Sequence, residues 1–493
     1  RDTDRSRGLG DVYKRQLLLL AGILLCLPLY AQYRFSFHKD GKFKIAQFTD
    51  IHWAPQSANC SITASTIESV LQAEQPDIAI LTGDVVTDSP ALEGWKSIIQ
   101  IFEKAQMPFA VLMGNHDAEN MSKDSIYLLL SASPYFVGDR GPVDIKGYGN
   151  SIIPIYDSQK QSTISSLLYC FDSNDYPENK NYGHYDWIHF NQIDWYRRKS
   201  QAYTAQNNGK PFPALAFFHI ATPEFNHLIG RKTTWGRCNE GGTGAPKLNS
   251  GMFTSFIECQ DIMGVFVGHD HDNDFIGQEY GIALAYGRVT GDDAYGDFKR
   301  GGRIIELHEG THSFDTWITT PDGKEFTYYY PSGITSIEEE EGDYLPARKV
   351  QSPKQGVAYT YYEGEFEKTA EVLKGKKVKT GVMKNFDITQ APAEDYFGYE
   401  FRTLIRIPEK GIYNFYTYSD DGTKLYIDGK EIVDNDGSHN AQRAEGKVAL
   451  EEGFHELRLV YLESYMGQEL EVGISGRNIL ETPIPDDMLY LGK

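Results

Sequence analysis

From Phe43 to about Tyr330 the chain alternates short apolar runs with amphipathic segments, the rhythm of buried strands joined by helices. Trp95, Ile98, Ile99 and Phe102 stand at i, i+3, i+4 and i+7, and Ile67, Val70 and Leu71 repeat part of that spacing. Each stripe predicts a helix covering a sheet face, and both are read as core. From about Gly356 the period falls to two. Phe401, Thr403, Ile405 and Ile407 alternate with Arg402, Leu404 and Arg406, while Leu457, Leu459 and Tyr461 alternate with Glu456, Arg458 and Val460. Leu425-Tyr426-Ile427 and Glu431-Ile432-Val433 flank Asp428-Gly429, a pair suited to the positive φ angles of a tight hairpin. Short strands with such turns predict a separate β-sandwich or barrel.

Between the two rhythms lie Tyr328 to Gly333, the run Glu338 to Glu341, and Gly342-Asp343, read as a solvated acidic linker. The expected division is a leader over 1–31, an α/β domain over 32–332, the linker over 333–354, a β domain over 355–480 and a tail over 481–493. Within the leader, Arg1 to Gln16 is polar and aperiodic and is set aside as an artefactual extension. Leu17 to Leu29 is an apolar run of 13 residues, shorter than the roughly 20 a spanning helix needs. Preceded by Lys14 and Arg15 and followed by Ala31, it reads as the apolar core of a signal peptide, so the chain is expected to be exported with no transmembrane span in its mature form.

At 493 residues, 40% hydrophobic and 24% charged, the chain is neither disordered nor fibrous. Its net charge of −21 repels polyanions, which disfavours nucleic-acid polymers as partners, and gathers cations. Beyond the leader stand Cys60, Cys170, Cys238 and Cys259, with no C-x-x-C spacing, so a zinc knuckle is not expected and export permits disulfides.

Five apolar runs of the first domain end in groups that can ligate metals. Phe43 to Phe48 leads to Asp50-Ile51-His52, Ile78 to Leu81 to Gly83-Asp84, and Phe109 to Met113 to Gly114-Asn115-His116-Asp117. Ala214 to Phe218 leads to His219, and Ile262 to Val267 to Gly268-His269-Asp270-His271. Any one of these is weak, since a lone buried histidine such as His219 is by default a core residue. Strands that are apolar until they release Asp, Asn or His deliver those groups to one edge of a sheet, where α/β sheets place their sites. Gly83, Gly114 and Gly268 are expected to let the backbone turn sharply there. Two divalent or trivalent cations about 3.5–4 Å apart need a bridging oxygen donor, and Asp84 is the candidate. Imidazole with carboxylate suits Fe, Zn or Mn.

These blocks, in this order, resemble the calcineurin-like metallophosphoesterase superfamily over roughly Phe43 to Leu307. The resemblance implies a four-layer α/β/β/α sandwich with Asp50, His52, Asp84 and His271 on one metal and Asp84, Asn115, His219 and His269 on the other. It makes His116 a catalytic group facing the scissile phosphate, with Asp117 orienting its ring, and a hydroxide held between the cations the nucleophile. Tyr185-Asp186-Trp187-Ile188, Asn249-Ser250-Gly251 and Gly287-Arg288-Val289-Thr290-Gly291 are similar to the branch related to purple acid phosphatases. That branch places an iron-binding tyrosine three residues after the bridging aspartate, where this chain has Thr87, so no tyrosinate colour is expected. Four loop residues, His227, Arg231, Trp235 and Asn249, are candidate substrate contacts.

The second domain resembles a PA14 module through Gly411-Ile412-Tyr413-Asn414-Phe415, Ser419-Asp420-Asp421-Gly422, Leu425 to Gly429 and Glu452-Gly453-Phe454-His455. The resemblance implies an all-β sandwich in which Asp420 and Asp421 bind Ca²⁺ and, through it, sugar hydroxyls; the alternative is that the pair merely closes a turn. Three readings follow: an exported phosphoester hydrolase acting on a small molecule or phosphoprotein with a glycan-binding appendage, an inactive surface carbohydrate-binding protein, or a nucleotide-processing phosphoesterase.

Overall fold

The computed structural model describes residues 33–231 and 233–492, so the leader and its apolar run lie outside the described residues. Two seven-stranded sheets build the first domain. One runs β14(Ile334–Thr335)-β13(Gly323–Tyr330)-β12(Phe314–Thr320)-β11(Gly302–His308)-β2(Lys42–Phe48)-β3(Ile78–Thr82)-β4(Phe109–Leu112). The other runs β1(Phe35–Ser36)-β5(Ser151–Tyr156)-β6(Ile164–Cys170)-β7(Ala214–Phe217)-β8(Ile262–Val267)-β10(Ile282–Tyr286)-β9(Ile276–Glu279). The runs read as buried strands are parallel neighbours: β2, β3 and β4 in one sheet, β6, β7 and β8 in the other. Parallel strands covered on both faces can be apolar at every position, which is why β3 and β7 show no alternation.

The inner faces of the sheets share one core, in which Ile45, Ile78, Ile80 and Leu112 meet Leu168, Leu215, Phe217 and Phe266. The outer face of the first sheet is covered by α1(Cys60–Glu74) and α2(Ala91–Lys104), and that of the second by α4(Phe190–Gln206) and α5(Met252–Cys259), with α3(Lys123–Leu130) packing beside α2. The predicted stripe of α2 is buried throughout. Each such side chain contributes about 1.5–3 kcal/mol of transfer free energy. The result is the expected four-layer α/β/β/α sandwich.

The second domain is all β. A sheet ordered β16(Lys376–Met383)-β15(Val357–Glu363)-β17(Phe397–Ile407)-β22(Gly453–Glu463)-β19(Thr423–Ile427)-β20(Lys430–Asn435), with β25(Leu489–Tyr490) also on β17, faces a sheet ordered β21(Gln442–Leu450)-β18(Gly411–Asp420)-β23(Glu469–Gly476)-β24(Ile479–Pro483). Asp428 (φ 46°) and Gly429 (φ 85°) close the β19–β20 hairpin as predicted. Two outward positions of the period-two pattern are nonetheless buried. Val460 lies under Val372 of the short helix Thr369–Val372, and Leu404 pairs with Tyr490 of β25.

Two expectations need correction. The stretch 481–493 is not a free tail, because β24 and β25 pair with β23 and β17. The acidic stretch is not a plain solvated linker either. Ile334–Thr335 extends the first domain's sheet, and Ser336–Glu341 is a helix capped by reciprocal hydrogen bonds between Thr335 and Glu338. Glu338 pairs with Lys447 at 2.9 Å, and Ile334 packs on Ile412 and Ala449 of the β domain, so this segment fastens the domains together. Cys60, Cys170, Cys238 and Cys259 are free thiols.

Candidate metal centre

The chain leaves β2, β3, β4, β7 and β8 within two to four residues of the candidate ligands, and the loops bring them together across both sheets. Donor atoms of Asp50, His52 and His271 lie within 4.8 Å of one another, and so do those of Asp84, His219 and His269. Asp84 joins the two groups: its Oδ2 is 3.2 Å from His219 Nε2 and 3.7 Å from His52 Nε2. Its Oδ1 accepts the backbone N–H of His116 at 2.8 Å, which fixes the carboxylate so that Oδ2 faces both groups.

Asp50, Asp84, Asn115, His219, His269 and His271 are all buried. Among the candidate ligands, the buried atoms His52 Nε2, Asn115 Oδ1, His219 Nε2, His269 Nδ1 and His271 Nδ1 have no hydrogen-bond partner. Leaving buried polar atoms unpaired costs about 1–3 kcal/mol each, so this concentration of orphans fits a site built for cations. The remaining polar atoms are used to aim the ligands. His219 Nδ1 meets the Thr82 carbonyl at 2.7 Å, turning Nε2 inward, and Asn115 Nδ2 donates to the Tyr176 hydroxyl at 3.0 Å, turning Oδ1 inward. Asp50 accepts the His269 backbone N–H and the Thr49 hydroxyl. Four ligands, Asp50, His52, Asp84 and His269, hold left-handed backbones with φ between 45° and 82°. Non-glycine residues pay about 1–3 kcal/mol for that conformation, and such outliers gather where function requires them.

The electrostatics follow. Burial opposes ionisation of Asp84, but His219 and His52 hold its carboxyl well below the usual range. Burial also opposes charge on His219, yet Asp84 lifts it to about 10. Burial, helped by the neighbouring His219 and His271, pushes His269 down to about 3 against the pull of Asp84 and Asp50, and burial pushes His52 down to about 4 against the pull of Asp84. His52 and His269, held neutral, and the ionised carboxylates are in the states that metal ligation needs, whereas the proton that Asp84 draws onto His219 is one a bound cation would displace.

The glycines act differently from each other. Gly83 does turn the chain, with φ 90°, whereas Gly114 and Gly268 are needed because a Cβ would collide with Asp84 at one and with Thr49 and Asp50 at the other.

His116 lines the cleft over these ligands, a space of about 430 Å³. Asp117 does not orient its ring. That carboxylate is fully buried and accepts the backbone N–H groups of Asp84, Val85, Val86 and Gly114 at 2.8–3.1 Å, knitting the β3 and β4 loops together. The partner of the His116 ring is Glu119, whose Oε1 is 2.8 Å from Nδ1. The two stand three residues apart across a turn closed by the Glu119 N–H on the His116 carbonyl at 3.1 Å. Tyr185 and Tyr295 were also missed: they pack on His269 edge-on at 4.4 Å and on His271 face-on at 3.9 Å.

The loop candidates lie elsewhere. His227 and Arg231 bind Glu279, Asn249 binds Glu224, and Trp235 packs against the inter-sheet core, all outside the cleft. A third group of potential ligands, Glu306, His308 and Asp315, sits on the β11–β12 hairpin, where Lys42 and Arg477 already pair with its carboxylates.

In the β domain Asp420 and Asp421 end β18 and open the next turn. Asp421 accepts from the Ser438 hydroxyl and the backbone N–H groups of His439 and Ser464, and Asp420 from Ala441 N–H, so both carboxylates tie the end of β18 to loops far along the chain. Beside them Glu463 is fully buried, and burial together with Asp421 and Asp420 raises its carboxyl to about 8.

Two sheets thus release carboxylate, amide and imidazole donors to a shared edge around one common aspartate, an arrangement that can hold metal. The comparisons agree. The calcineurin-like phosphoesterase family matches residues 43–273, and the PA14 domain matches residues 353–486. "Probable inactive purple acid phosphatase 29" of Arabidopsis thaliana is 34% identical over 340 residues, spanning 62% of this chain and 87% of that protein. "Probable inactive purple acid phosphatase 14" of the same plant is 28% identical, spanning 61% and 86%. "Phosphatase DCR2" of Saccharomyces cerevisiae is 28% identical, spanning 56% and 54%. The chain belongs to the calcineurin-like phosphoesterase family and carries a C-terminal PA14 domain.

Proposed function

We propose that the chain is an exported phosphoester hydrolase that works with two metal ions, Fe, Zn or Mn, and whose PA14 domain binds glycan, with Ca²⁺ at Asp420 and Asp421. The observation that carries the catalytic reading is the shared Asp84 between two groups of buried, partnerless donors. Asp50, His52, Asp84 and His271 would hold one cation, and Asp84, Asn115, His219 and His269 the other. Bound cations supply Lewis acidity toward a phosphoryl oxygen and bring the pKa of water to about 7.

The chain's own residues do the rest. His116, at the mouth of the cleft and paired through Nδ1 with Glu119, presents its other ring nitrogen to the substrate. There it can donate a hydrogen bond to a charged phosphoryl oxygen or a proton to the departing alcohol. Tyr185 and Tyr295 shield the ligand imidazoles from water, which strengthens every electrostatic interaction in the site.

The names of the plant relatives favour a second reading, an inactive surface protein that binds metal and sugar without hydrolysis. The complete ligand set and the placement of His116 support the first. Among the described residues no helix is long and apolar enough to cross a membrane. Metal analysis of purified protein, followed by turnover of p-nitrophenyl phosphate, its bis ester, nucleotides and phosphosugars with Mn²⁺ or Zn²⁺, decides between the readings. Two bound metals with no turnover of any ester would leave the second. Detection of the mature chain outside the producing cell tests export, and glycan-array binding with and without Ca²⁺ tests the PA14 assignment.

A further inference from the structure

The walls of the cleft beyond the candidate ligands are acidic and aromatic. Glu240 and Thr243 form one side, Tyr185 and Tyr295 flank the histidines, and among the described residues no lysine or arginine lines the space. Glu119 adds a second, partly exposed carboxylate beside His116. Arginines near the Glu240 and Tyr295 loops are committed elsewhere. Arg237 pairs with Asp274 and Glu325, and Arg300 donates to the carbonyls of Ala294 and Gly296. Glu240 is itself held in place, its Oε1 accepting the Tyr295 hydroxyl at 2.7 Å and the Asp272 backbone N–H at 3.3 Å. Tyr295 is 55% exposed with one face on His271, so its other face is open to solvent.

Resting on the hydrolase reading above, we propose that this site selects phosphoesters carrying a single phosphoryl group on an uncharged leaving group, a polyol or aryl alcohol, and discriminates against polyphosphates and against leaving groups that bear a carboxylate. The scissile phosphoryl group is drawn by the cations, but any further anion on the substrate must lie among Glu119, Glu240 and the ring faces, with no fixed positive charge to meet it. The repulsion acts in the entry and leaving-group region, so it lowers kcat/KM for charged leaving groups without touching the ligands. An uncharged sugar or aryl ring meets the open Tyr295 face instead, where apolar and CH–ring contact suits it, and its hydroxyls can donate to Glu240.

The test uses the full chain loaded with Mn²⁺ and compares kcat/KM for glucose 6-phosphate, 6-phosphogluconate and ATP. The first two share a C6 phosphate; 6-phosphogluconate is open-chain and carries the carboxylate, so the salt dependence of the gap, and not its size alone, reads the charge. At about 10 mM salt, where the screening length is about 30 Å, 6-phosphogluconate is expected to fall roughly fivefold and ATP at least tenfold below glucose 6-phosphate. At about 150 mM, where it is about 8 Å, both gaps should narrow. Glu240→Lys should shift the ATP to glucose 6-phosphate ratio roughly tenfold toward ATP. The salt series on the unaltered chain decides the matter even where that variant folds poorly. Equal kcat/KM for ATP and glucose 6-phosphate at low salt, or a ratio indifferent to salt, overturns the selectivity while leaving the hydrolase reading intact. No turnover of any ester by protein holding two metals overturns that reading and the selectivity with it.

Discussion

Replacing Asp117 tests whether it is a structural clamp or a partner of the catalytic histidine. Its two oxygens accept four backbone N–H groups, from Asp84, Val85, Val86 and Gly114, in a fully buried setting. Asp117→Ala strands all four donors. At about 1–3 kcal/mol for each unsatisfied buried group the sum is about 4–12 kcal/mol, and water entering the vacated volume brings the expected cost to the lower end, about 4 kcal/mol. With a urea m-value of about 3 kcal/mol per M, the unfolding midpoint of the catalytic domain should fall by about 1.3 M. Because Asp84 sits between those donors, metal content should fall as well. The matched control is Glu119→Ala, which removes a half-exposed carboxylate bonded to the His116 ring. It should change stability by less than about 0.5 kcal/mol and leave two metals in place while slowing turnover. Urea unfolding followed by tryptophan fluorescence, with metal analysis of the same samples, reads both effects. If Asp117→Ala unfolded within about 0.5 kcal/mol of the parent and lost only turnover, the clamp argument would be wrong and the ring-orienting role restored.

Three further outcomes are expected. His116→Ala should keep both metals and lose about 10²–10⁴-fold in turnover, the usual worth of a positioned proton donor, whereas Asp84→Ala should lose both metals; an Asp84→Ala protein with two metals and full rate would end the bridging assignment. Pure protein loaded with iron should show no intense visible tyrosinate band, since Thr87 stands where that ligand would come from. In the β domain, burial opposes charge on His455, but Asp428 at 2.6 Å and the Glu451 carbonyl raise its pKa above the ordinary value, while His455 and a backbone N–H lower that of Asp428 despite burial. A raised histidine stabilises the fold fully below its unfolded pKa of about 6.5 and loses that contribution as pH rises through the higher folded value; a depressed aspartate stabilises above about 3.9 and loses it as pH falls through the lower one. Thermal melts of the full chain should therefore show the β-domain transition highest between about pH 4 and 6.5 and declining above, and His455→Gln should flatten the decline.

The strand ends were legible in the residues because a strand buried on both faces must be apolar until it leaves the sheet, so the first polar groups after β2, β3, β4, β7 and β8 stand out. The α2 stripe and the Asp428-Gly429 turn were legible for the same local reason: each depends on a few consecutive residues. Misreadings arose where distant chain segments decide. Leu404 and Val460 look outward by alternation, yet β25 and the helix Thr369–Val372 come to lie on them from far along the chain.

Sequence by itself determined the alternation of apolar and polar positions, hence the two kinds of domain, and the set of donors that the strands would release. Only the tertiary structure decided that these donors, spread over more than two hundred positions, meet in two groups around one Asp84 oxygen. It also assigned Asp117 to the backbone and Glu119 to His116, and it put Tyr185, Tyr295 and Glu240 on the rim. The reason is physical: a strand's exit follows from local hydrophobicity, whereas the direction of a side chain at that exit is set by how loops from two sheets pack against each other.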